Sequence, residues 1–272
     1  MLQISGLYIY PIKSLGGCSV AAAIITDRGF EHDRRWMLID ANNRFLSQRE
    51  IPSMVFLQVE ILAATLKVFS SNKPDDYIEI PFTSTSDIFI EVDIWGIYCK
   101  AQLLNDEINN WFSKILGQPC RLVYMTDSTE VKVEPNYAIN NDLTSFSDGF
   151  PILMISEASL NDLNKRVTEP LPMNRFRPNL VFKGGQAFIE DRMKKFSING
   201  IPFFGVKPSS RCVVTTINQS TAQKTKEPLQ TLATYRKKDS KIYFGENVIA
   251  AGNGKITIGD NIDILQLKES II

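Results

Sequence analysis

Short apolar runs joined in pairs by turn-forming residues are the feature that most limits how this chain can fold. The clearest pair, residues 89–94 and 98–104, flanks Trp95-Gly96. The other candidate pairs are 35–39 with 44–47, 54–62 with 65–69, 196–198 with 201–206, and 255–258 with 261–265. Strands of this length and spacing are typical of barrels and sandwiches. We therefore expect a mainly β fold with a few helices, of the α+β class.

Helical patterns interrupt the strands at a few places. Leu104, Ile108, Trp111, Phe112 and Ile115 repeat every three to four residues, as on the apolar face of one helix. Asn105 is its candidate N-cap and Gly117 its candidate stop. A second helix is predicted to begin at Ser156, and a short one near residues 228–236. Residues 126–146 are polar and weakly patterned, which indicates a linker or an active-site flap.

The charge balance and the cysteines limit the possible ligands and compartments. The 272 residues contain 30 basic and 30 acidic side chains, so a nucleic-acid partner is not expected and any anion site must be local. Four cysteines without a C-x-x-C pair show no zinc or iron–sulfur spacing and favour the cytoplasm. We expect no signal peptide and no membrane span, because no apolar stretch approaches the ~18–20 residues required.

Cys212 is the strongest candidate for chemistry. It follows Lys207-Pro208-Ser209-Ser210-Arg211, whose proline and serines predict a loop, and residues 212–217 form a β-branched run that predicts a strand. The adjacent Arg211 favours the thiolate. A thiolate is a soft ligand that suits a soft transition metal. The dipeptide alone fits a buried, inert cysteine more often than a reactive one.

Arg175 and Arg177 stand two residues apart, directly before Pro178-Asn179. Proline favours extended backbone at the residue before it, so both guanidinium groups are expected on one face. Their planar donors match phosphate oxygens, and both anion binding and an ordinary structural role stay open.

Other polar segments carry less information when each is considered alone. A segment such as Lys13-Ser14 is more often a simple turn than an anion site. Asp33-Arg34-Arg35-Trp36 is more often an ion pair beside a core tryptophan than a functional site, and His32 is more often a surface histidine than a catalytic base. Dinucleotide-binding, P-loop and nucleophile-elbow motifs are absent from the sequence.

In their order along the chain, these segments resemble the MOSC family. Residues 7–14 resemble the opening of its N-terminal β-barrel domain, and 33–36 match its D-R-x-W element. Residues 146–160 resemble the start of the MOSC domain, and the segments 175–179, 211–216 and 226–236 match its later motifs. The resemblance implies a MOSC N-terminal β-barrel domain over 1–122 and a MOSC β-barrel domain over 123–272. The group it resembles is that of the mitochondrial amidoxime-reducing component and its bacterial relatives.

The resemblance further implies a molybdenum cofactor of the molybdopterin type, a pyranopterin dithiolene with a terminal phosphate. Cys212 would be the catalytic residue and the thiolate ligand to molybdenum. The residues that would bind the rest of the cofactor are Lys13, Ser14, Arg34, Asp148, Arg177, Asn179, Ser210 and Arg211. Two departures stand out: the family's small hydroxyl residues after Asp148 are here Gly149-Phe150, and its Glu-Asp-x-Trp pattern near the metal is Glu190-Asp191-Arg192-Met193.

The activity implied by the resemblance is reduction of small N-hydroxylated compounds by a molybdenum-dependent oxidoreductase. The chain has no iron–sulfur or flavin motif, so a separate electron-donor protein of ferredoxin or cytochrome type, with its reductase, is expected. The alternative is a carrier of sulfur or of the molybdenum cofactor that uses Cys212 as a persulfide acceptor; a degenerate structural member is a third option. Pyridoxal phosphate is linked to the family through a fused desulfurase. Without an aminotransferase-sized domain, we do not expect this chain to bind it.

Overall fold

The computed structural model describes residues 1–83, 86–270 and 272, and these residues are mainly β. The helices among them are α1 (Asp106–Leu116), α2 (Glu157–Asn164) and α3 (Leu229–Leu232). The strands are β1 (Leu2–Ile9), β2 (Cys18–Val20), β3 (Ala22–Thr26), β4 (Gly29–Phe30), β5 (Trp36–Ile39), β6 (Leu57–Ile61), β7 (Thr65–Ser70), β8 (Lys73–Pro81), β9 (Phe89–Ile94), β10 (Ile97–Leu103), β11 (Arg121–Tyr124), β12 (Val131–Lys132), β13 (Leu143–Thr144), β14 (Ile152–Ser156), β15 (Leu180–Lys183), β16 (Met193–Ile198), β17 (Ile201–Ser210), β18 (Lys237–Lys238), β19 (Lys241–Ala250), β20 (Gly254–Thr257) and β21 (Asn261–Leu267). The predicted fold class, mainly β with a few helices, is confirmed. None of the helices in the described part of the chain is long and apolar enough to span a bilayer.

The largest sheet closes on itself as a barrel. Its strands follow the order β14-β15-β1-β21-β16-β17-β19, and β14 also pairs with β19, which makes seven barrel strands among the described residues. Leu7, Phe182 and Phe203 are fully buried in its interior core. β1 lies between β15 and β21, so the first strand of the chain completes a barrel built mostly from the second half. The division predicted between residues 122 and 123 stays a prediction.

Smaller sheets and α1 form the remainder of the first half. β5, β11, β10 and β9 make one sheet, and β6, β7 and β8 make another. Trp36 and Phe112 are buried in the core that these sheets share with α1. Asn105 caps α1 as predicted, because its side chain accepts a hydrogen bond from the Ile108 amide at 3.0 Å. Gly117 ends the helix in the left-handed conformation, with φ of 69°.

Some of the predicted strand pairs form and others do not. The hairpins β6–β7, β9–β10 and β16–β17 are confirmed. The predicted hairpin of residues 255–258 with 261–265 is wrong, because β20 pairs with β3 while β21 pairs with β16 and β1. Residues 44–47 pair with β5 only through an antiparallel bridge between Ile39 and Phe45, supported by a hydrogen bond of 2.8 Å from the Leu46 amide to the Leu38 carbonyl. The strand partner of β5 is β11.

Candidate functional site

One pocket of about 250 Å³ collects side chains from both halves of the chain. All of the residues predicted to bind the cofactor or the metal line it: Lys13, Ser14, Arg34, Asp148, Arg177, Asn179, Ser210, Arg211 and Cys212. The structure thus brings together residues that are as much as 199 positions apart, from 13 to 212. The individual roles of these residues stay predictions.

The pocket carries a strong local excess of positive charge. The cationic side chains among its described lining residues are Lys13, Arg34, Arg49, Arg175, Arg177, Lys207 and Arg211. Asp148 is the one carboxylate in that described lining. A chain with a formal net charge of zero has therefore concentrated its cations at this position, as an anion-binding site requires.

Cys212 precedes a 3₁₀ turn, and the prediction of a strand over 212–217 is wrong. The turn covers Val213–Thr216, and the Cys212 carbonyl accepts from the amide and the hydroxyl of Thr215 at 3.2 and 2.9 Å. Threonine hydroxyls that bond to nearby carbonyls compete with strand formation. The preceding residues 207–210, predicted as a loop, are instead the end of β17. The thiol is half-buried in the pocket wall, at the end of a barrel strand.

Arg211 holds its place by hydrogen bonds to neutral oxygens. Its Nη1 donates to the Ser209 hydroxyl at 2.8 Å and its Nη2 to the Phe176 carbonyl at 2.7 Å. Its Nε is buried and has no hydrogen-bond partner in the described part of the chain. Burial lowers the pKa of Arg211 to about 10, which still leaves the guanidinium charged at neutral pH. This charge can be compensated further by a bound anion.

Arg177 is not extended, which corrects the expectation drawn from Pro178. Its φ is 55°, in the left-handed region. Its Nη1 donates to the Leu15 carbonyl at 2.7 Å and its guanidinium lies 4.2 Å from the centroid of the Tyr10 ring. The residue before a proline disfavours this conformation, and the contacts of the Arg177 side chain with Leu15 and Tyr10 are made from it. Burial lowers the pKa of Arg177 to about 10.

Arg34 is held by a buried acid and an amide. Its Nη1 donates to Asp33 Oδ2 at 2.6 Å and to Asn179 Oδ1 at 3.0 Å. Asn179 Nδ2 in turn donates to Asp33 Oδ1 at 2.9 Å. Burial raises the pKa of Asp33, and the neighbouring Arg34 opposes that rise. The expected ion pair and the buried Trp36 are confirmed, and Arg34 lies in the pocket wall as well.

Lys13 and Asp148 form an ion pair at the pocket entrance. Lys13 Nζ donates to Asp148 Oδ1 at 2.5 Å and to the Phe146 carbonyl at 2.7 Å. The Trp95 indole nitrogen donates to the same Asp148 oxygen at 3.1 Å. Desolvation of the carboxylate oxygens opposes ionisation of Asp148, but the Lys13 ammonium and these hydrogen bonds hold its pKa below the usual range. The side chain as a whole is 65% exposed, so solvent screens part of this attraction.

Several pocket residues were not predicted from the sequence, and others that were singled out have structural contacts instead of a place facing a ligand. Arg49 and Trp95 line the pocket although neither belongs to a recognised motif. Arg175 also lines it, but its donors go to Thr215 O, Thr225 Oγ1 and Glu227 O, which makes it a brace. Glu190-Asp191 lies outside the described pocket lining, where Asp191 accepts from Arg236 at 2.5 Å. His32 stacks on Phe82 with ring centroids 4.3 Å apart and is not among the lining residues described.

The fold and the site define a class: barrel proteins with a thiol in the wall of a cation-rich pocket. The family models for the MOSC N-terminal beta barrel domain and the MOSC domain match residues 1–119 and 141–263. The chain belongs to the family of MOSC proteins that carry both domains, as the sequence motifs predicted.

Named relatives fall into two groups. The chain is 31% identical to mitochondrial amidoxime reducing component 2 of Rattus norvegicus, over 95% of this chain and 82% of that protein. It is 32% identical to the molybdenum cofactor sulfurase of Oryza sativa, over 90% of this chain but only 32% of the sulfurase, so it spans about a third of that relative. Among solved structures, the YuaD protein from Bacillus subtilis superposes with a TM-score of 0.44 at 12% identity, covering 96% of this chain and 94% of its own.

Proposed function

We propose that this protein is an oxidoreductase that binds the molybdenum cofactor and reduces N-hydroxylated compounds with electrons from a separate donor protein. The observation that carries the proposal is the position of Cys212 in the same pocket wall as Lys13, Arg34 and Arg177. A soft sulfur ligand and a set of hard cations are the two things that a phosphorylated metal dithiolene requires. The amidoxime-reducing relatives support the choice of substrate class and of reaction.

The residues present fit the cofactor by the chemistry of their donors. The buried Nε of Arg211 lacks an acceptor in the described structure, and an anionic oxygen would supply one. Burial has lowered the pKa of Arg177 and of Arg211 to about 10, so both cations would gain from a bound anion. Within the described residues no group of three or more His, Cys, Asp or Glu side chains could hold a metal ion. A metal that brings its own sulfur ligands needs only one more from Cys212.

Each predicted residue then has a defined task. Cys212 would bind molybdenum, while Lys13, Ser14 and Arg34 would hold the phosphate and the pterin. Arg177, Ser210 and Arg211 would close around the same group. Asn179 orients Arg34 through the hydrogen bond of 3.0 Å. The lowered pKa of Asp148 keeps its carboxylate ionised, so it positions Lys13 and Trp95 and is not a proton donor.

The bound cofactor would supply two-electron chemistry for removing oxygen from an N–O bond. The protein would bind and orient the substrate beside the metal and exclude competing reactions. The electron donor would be a ferredoxin- or cytochrome-type protein with its reductase. We place the protein in the cytoplasm, where a reducing environment would keep the Cys212 thiol available.

The test is metal analysis together with amidoxime reduction driven by an artificial electron donor. Wild type is expected to contain about one molybdenum per chain, and Cys212→Ala is expected to lose both the metal and the activity. Cys18→Ala is the matched control, because Cys18 is also half-buried but lies outside the described pocket lining. Equal molybdenum contents in wild type and Cys212→Ala would contradict the proposal.

A second candidate function is a carrier of the cofactor or of sulfur. It is favoured by the identity of 32% to the rice molybdenum cofactor sulfurase. In this case Cys212 would accept a persulfide and the purified protein would not reduce amidoximes. Persulfide-selective labelling with mass spectrometry distinguishes the two: labelled Cys212 without molybdenum supports the carrier, whereas molybdenum with turnover supports the reductase.

A further inference from the structure

Arg49 is a cation at the pocket entrance that lacks an acceptor. It lines the pocket, and its guanidinium carbon lies 4.2 Å from the centroid of the Trp95 ring. Its Nε is buried and without a hydrogen-bond partner among the residues described. With those described residues it also forms no ion pair within 4.0 Å. Arg49 is therefore charged, partly desolvated and uncompensated.

The remaining pocket cations differ from Arg49 in this respect. Lys13, Arg34 and Lys207 each contact a carboxylate. Arg175, Arg177 and Arg211 each donate to main-chain carbonyls. In the described lining, Arg49 thus stands apart as the cation with neither kind of acceptor.

The surroundings of Arg49 hold it in place. Its neighbour Gln48 is fully buried and donates to the Ser14 carbonyl at 2.7 Å. The indole nitrogen of Trp95 is bonded to Asp148, which fixes the ring against which the guanidinium packs. Packing on a ring face leaves the in-plane N–H donors of a guanidinium free. Arg49 therefore offers its two Nη groups, which donate to no acceptor among the described residues, to an acceptor with two oxygens.

The position of Arg49 favours substrate over cofactor. Trp95, which packs against it, is 50% exposed, so this part of the wall lies at the mouth of the pocket. The cations expected to hold the cofactor phosphate include Lys13 and Arg34, whose side chains are only 7% and 13% exposed and so lie deeper than Trp95. A second anionic group would therefore enter after the cofactor and lie nearer to solvent.

We propose that Arg49 binds a carboxylate of the substrate, so that the preferred substrates are small N-hydroxylated compounds that also carry a carboxylate. This inference rests on the proposed reductase function. The bidentate geometry of guanidinium and carboxylate gives both affinity and orientation, which would place the N–O group toward Cys212.

The test compares a matched pair of aryl amidoximes, one neutral and one with a para-carboxylate. KM and kcat are measured on the molybdenum-loaded protein, and Kd is measured by calorimetry without an electron donor. Arg49→Gln is expected to raise KM and Kd for the carboxylated probe by about ten- to a hundredfold, and to change the neutral probe by less than about twofold. Arg49→Lys should recover part of the loss, because it keeps the charge without the fork. Arg44→Gln is the control, since Arg44 pairs with Asp40 on the surface and is not among the described lining residues.

The outcomes distinguish carboxylate recognition by Arg49 from the proposed reductase function. The inference is overturned if Arg49→Gln changes both probes equally or neither, or if the variant loses molybdenum, which would make Arg49 part of the cofactor site. If wild type reduces neither probe but still binds the carboxylated one through Arg49, carboxylate recognition is supported and the reductase function fails.

Discussion

The Nε of Arg175 donates to the carbonyl oxygen of Thr215 at 2.8 Å. This contact ties the segment that carries Arg177 to the 3₁₀ turn that follows Cys212. Two further donations from Arg175, to Thr225 Oγ1 at 3.2 Å and to the Glu227 carbonyl at 3.0 Å, extend the brace. The position of the thiol thus depends on an arginine whose Nε and Nη2 donate to neutral oxygens.

Replacing that brace should destabilise the protein. Arg175→Ala leaves the Thr215 and Glu227 carbonyls without this donor, and we expect a loss of about 3 kcal/mol in the free energy of unfolding. Urea denaturation measures this. Arg166→Ala, which breaks an exposed pair with Asp162, is expected to cost less than about 0.5 kcal/mol. Equal costs for the two variants would show that Arg175 is not a brace.

Asn179 should act on Arg34 through hydrogen bonds. Its side chain is 1% exposed and bonds to Arg34, Asp33 and the Tyr8 carbonyl. Asn179→Ala removes one hydrogen bond from each of these buried groups and is expected to cost about 2–3 kcal/mol. Asn179→Asp places a second carboxyl beside Asp33, so its cost should be larger at pH 7 and smaller at pH 4. If Asn179→Asp lowers the free energy of unfolding equally at pH 4 and at pH 7, this network is contradicted.

Lys13 should control how tightly the anionic cofactor is kept. Lys13→Met preserves much of the side chain's volume but removes the ammonium that contacts Asp148. We expect retention of the cofactor, followed as molybdenum content during dialysis at rising ionic strength, to weaken by about ten- to a hundredfold. Lys67→Met serves as control, because Lys67 pairs with Glu60 outside the described pocket lining. Identical retention in both variants would remove Lys13 from the site.

The barrel interior should make stability depend on pH. Glu246 is fully buried and accepts from Lys268 at 2.5 Å. Burial raises the pKa of Glu246 to about 8, although Lys268 opposes the rise. The unfolded chain would ionise this carboxyl first, so its contribution to stability is greatest at low pH and is lost as pH rises toward 8.

Glu246→Gln should therefore flatten the dependence of stability on pH between about 5 and 8, by up to about 4 kcal/mol. Burial raises the pKa of Glu190 and of Asp191 in the same sense, so part of the slope should remain. Urea denaturation at pH 5 and at pH 8.5 measures the difference. Glu130→Gln, at an exposed position, should follow wild type at both pH values. A Glu246→Gln slope as steep as that of wild type would show that Glu246 ionises normally.

The features that local chemistry decides were predictable from the sequence. Trp95-Gly96 and Asn199-Gly200 join strands that pair as hairpins, and these turn residues have positive φ values. Asn105 and Gly117 set the ends of α1, because capping depends on groups within one turn. Pairing between distant strands was not predictable in this way. The partner of β20 is β3, more than 220 residues earlier, and no local signal identifies it.

In the site, too, residues in local motifs were predictable and contacts created by folding were not. Residues that stand in recognisable motifs, such as Arg34 and Arg211, were identified even though the backbone around Cys212 was not. The strand prediction failed because Thr215 satisfies the Cys212 carbonyl locally. Arg49 had no motif to mark it, and its importance depends on Trp95, a residue 46 positions away that only folding brings into contact.

X-ray absorption at the molybdenum edge tests the central claim most directly. Cys212→Ser keeps an oxygen donor at this position, unlike Cys212→Ala, and the account predicts that the molybdenum it retains has one bound sulfur atom fewer than in wild type. Comparison with Cys18→Ser, which should keep the wild-type number, controls for the loss of a thiol elsewhere. An unchanged sulfur count in Cys212→Ser would contradict the assignment of Cys212 as the metal ligand.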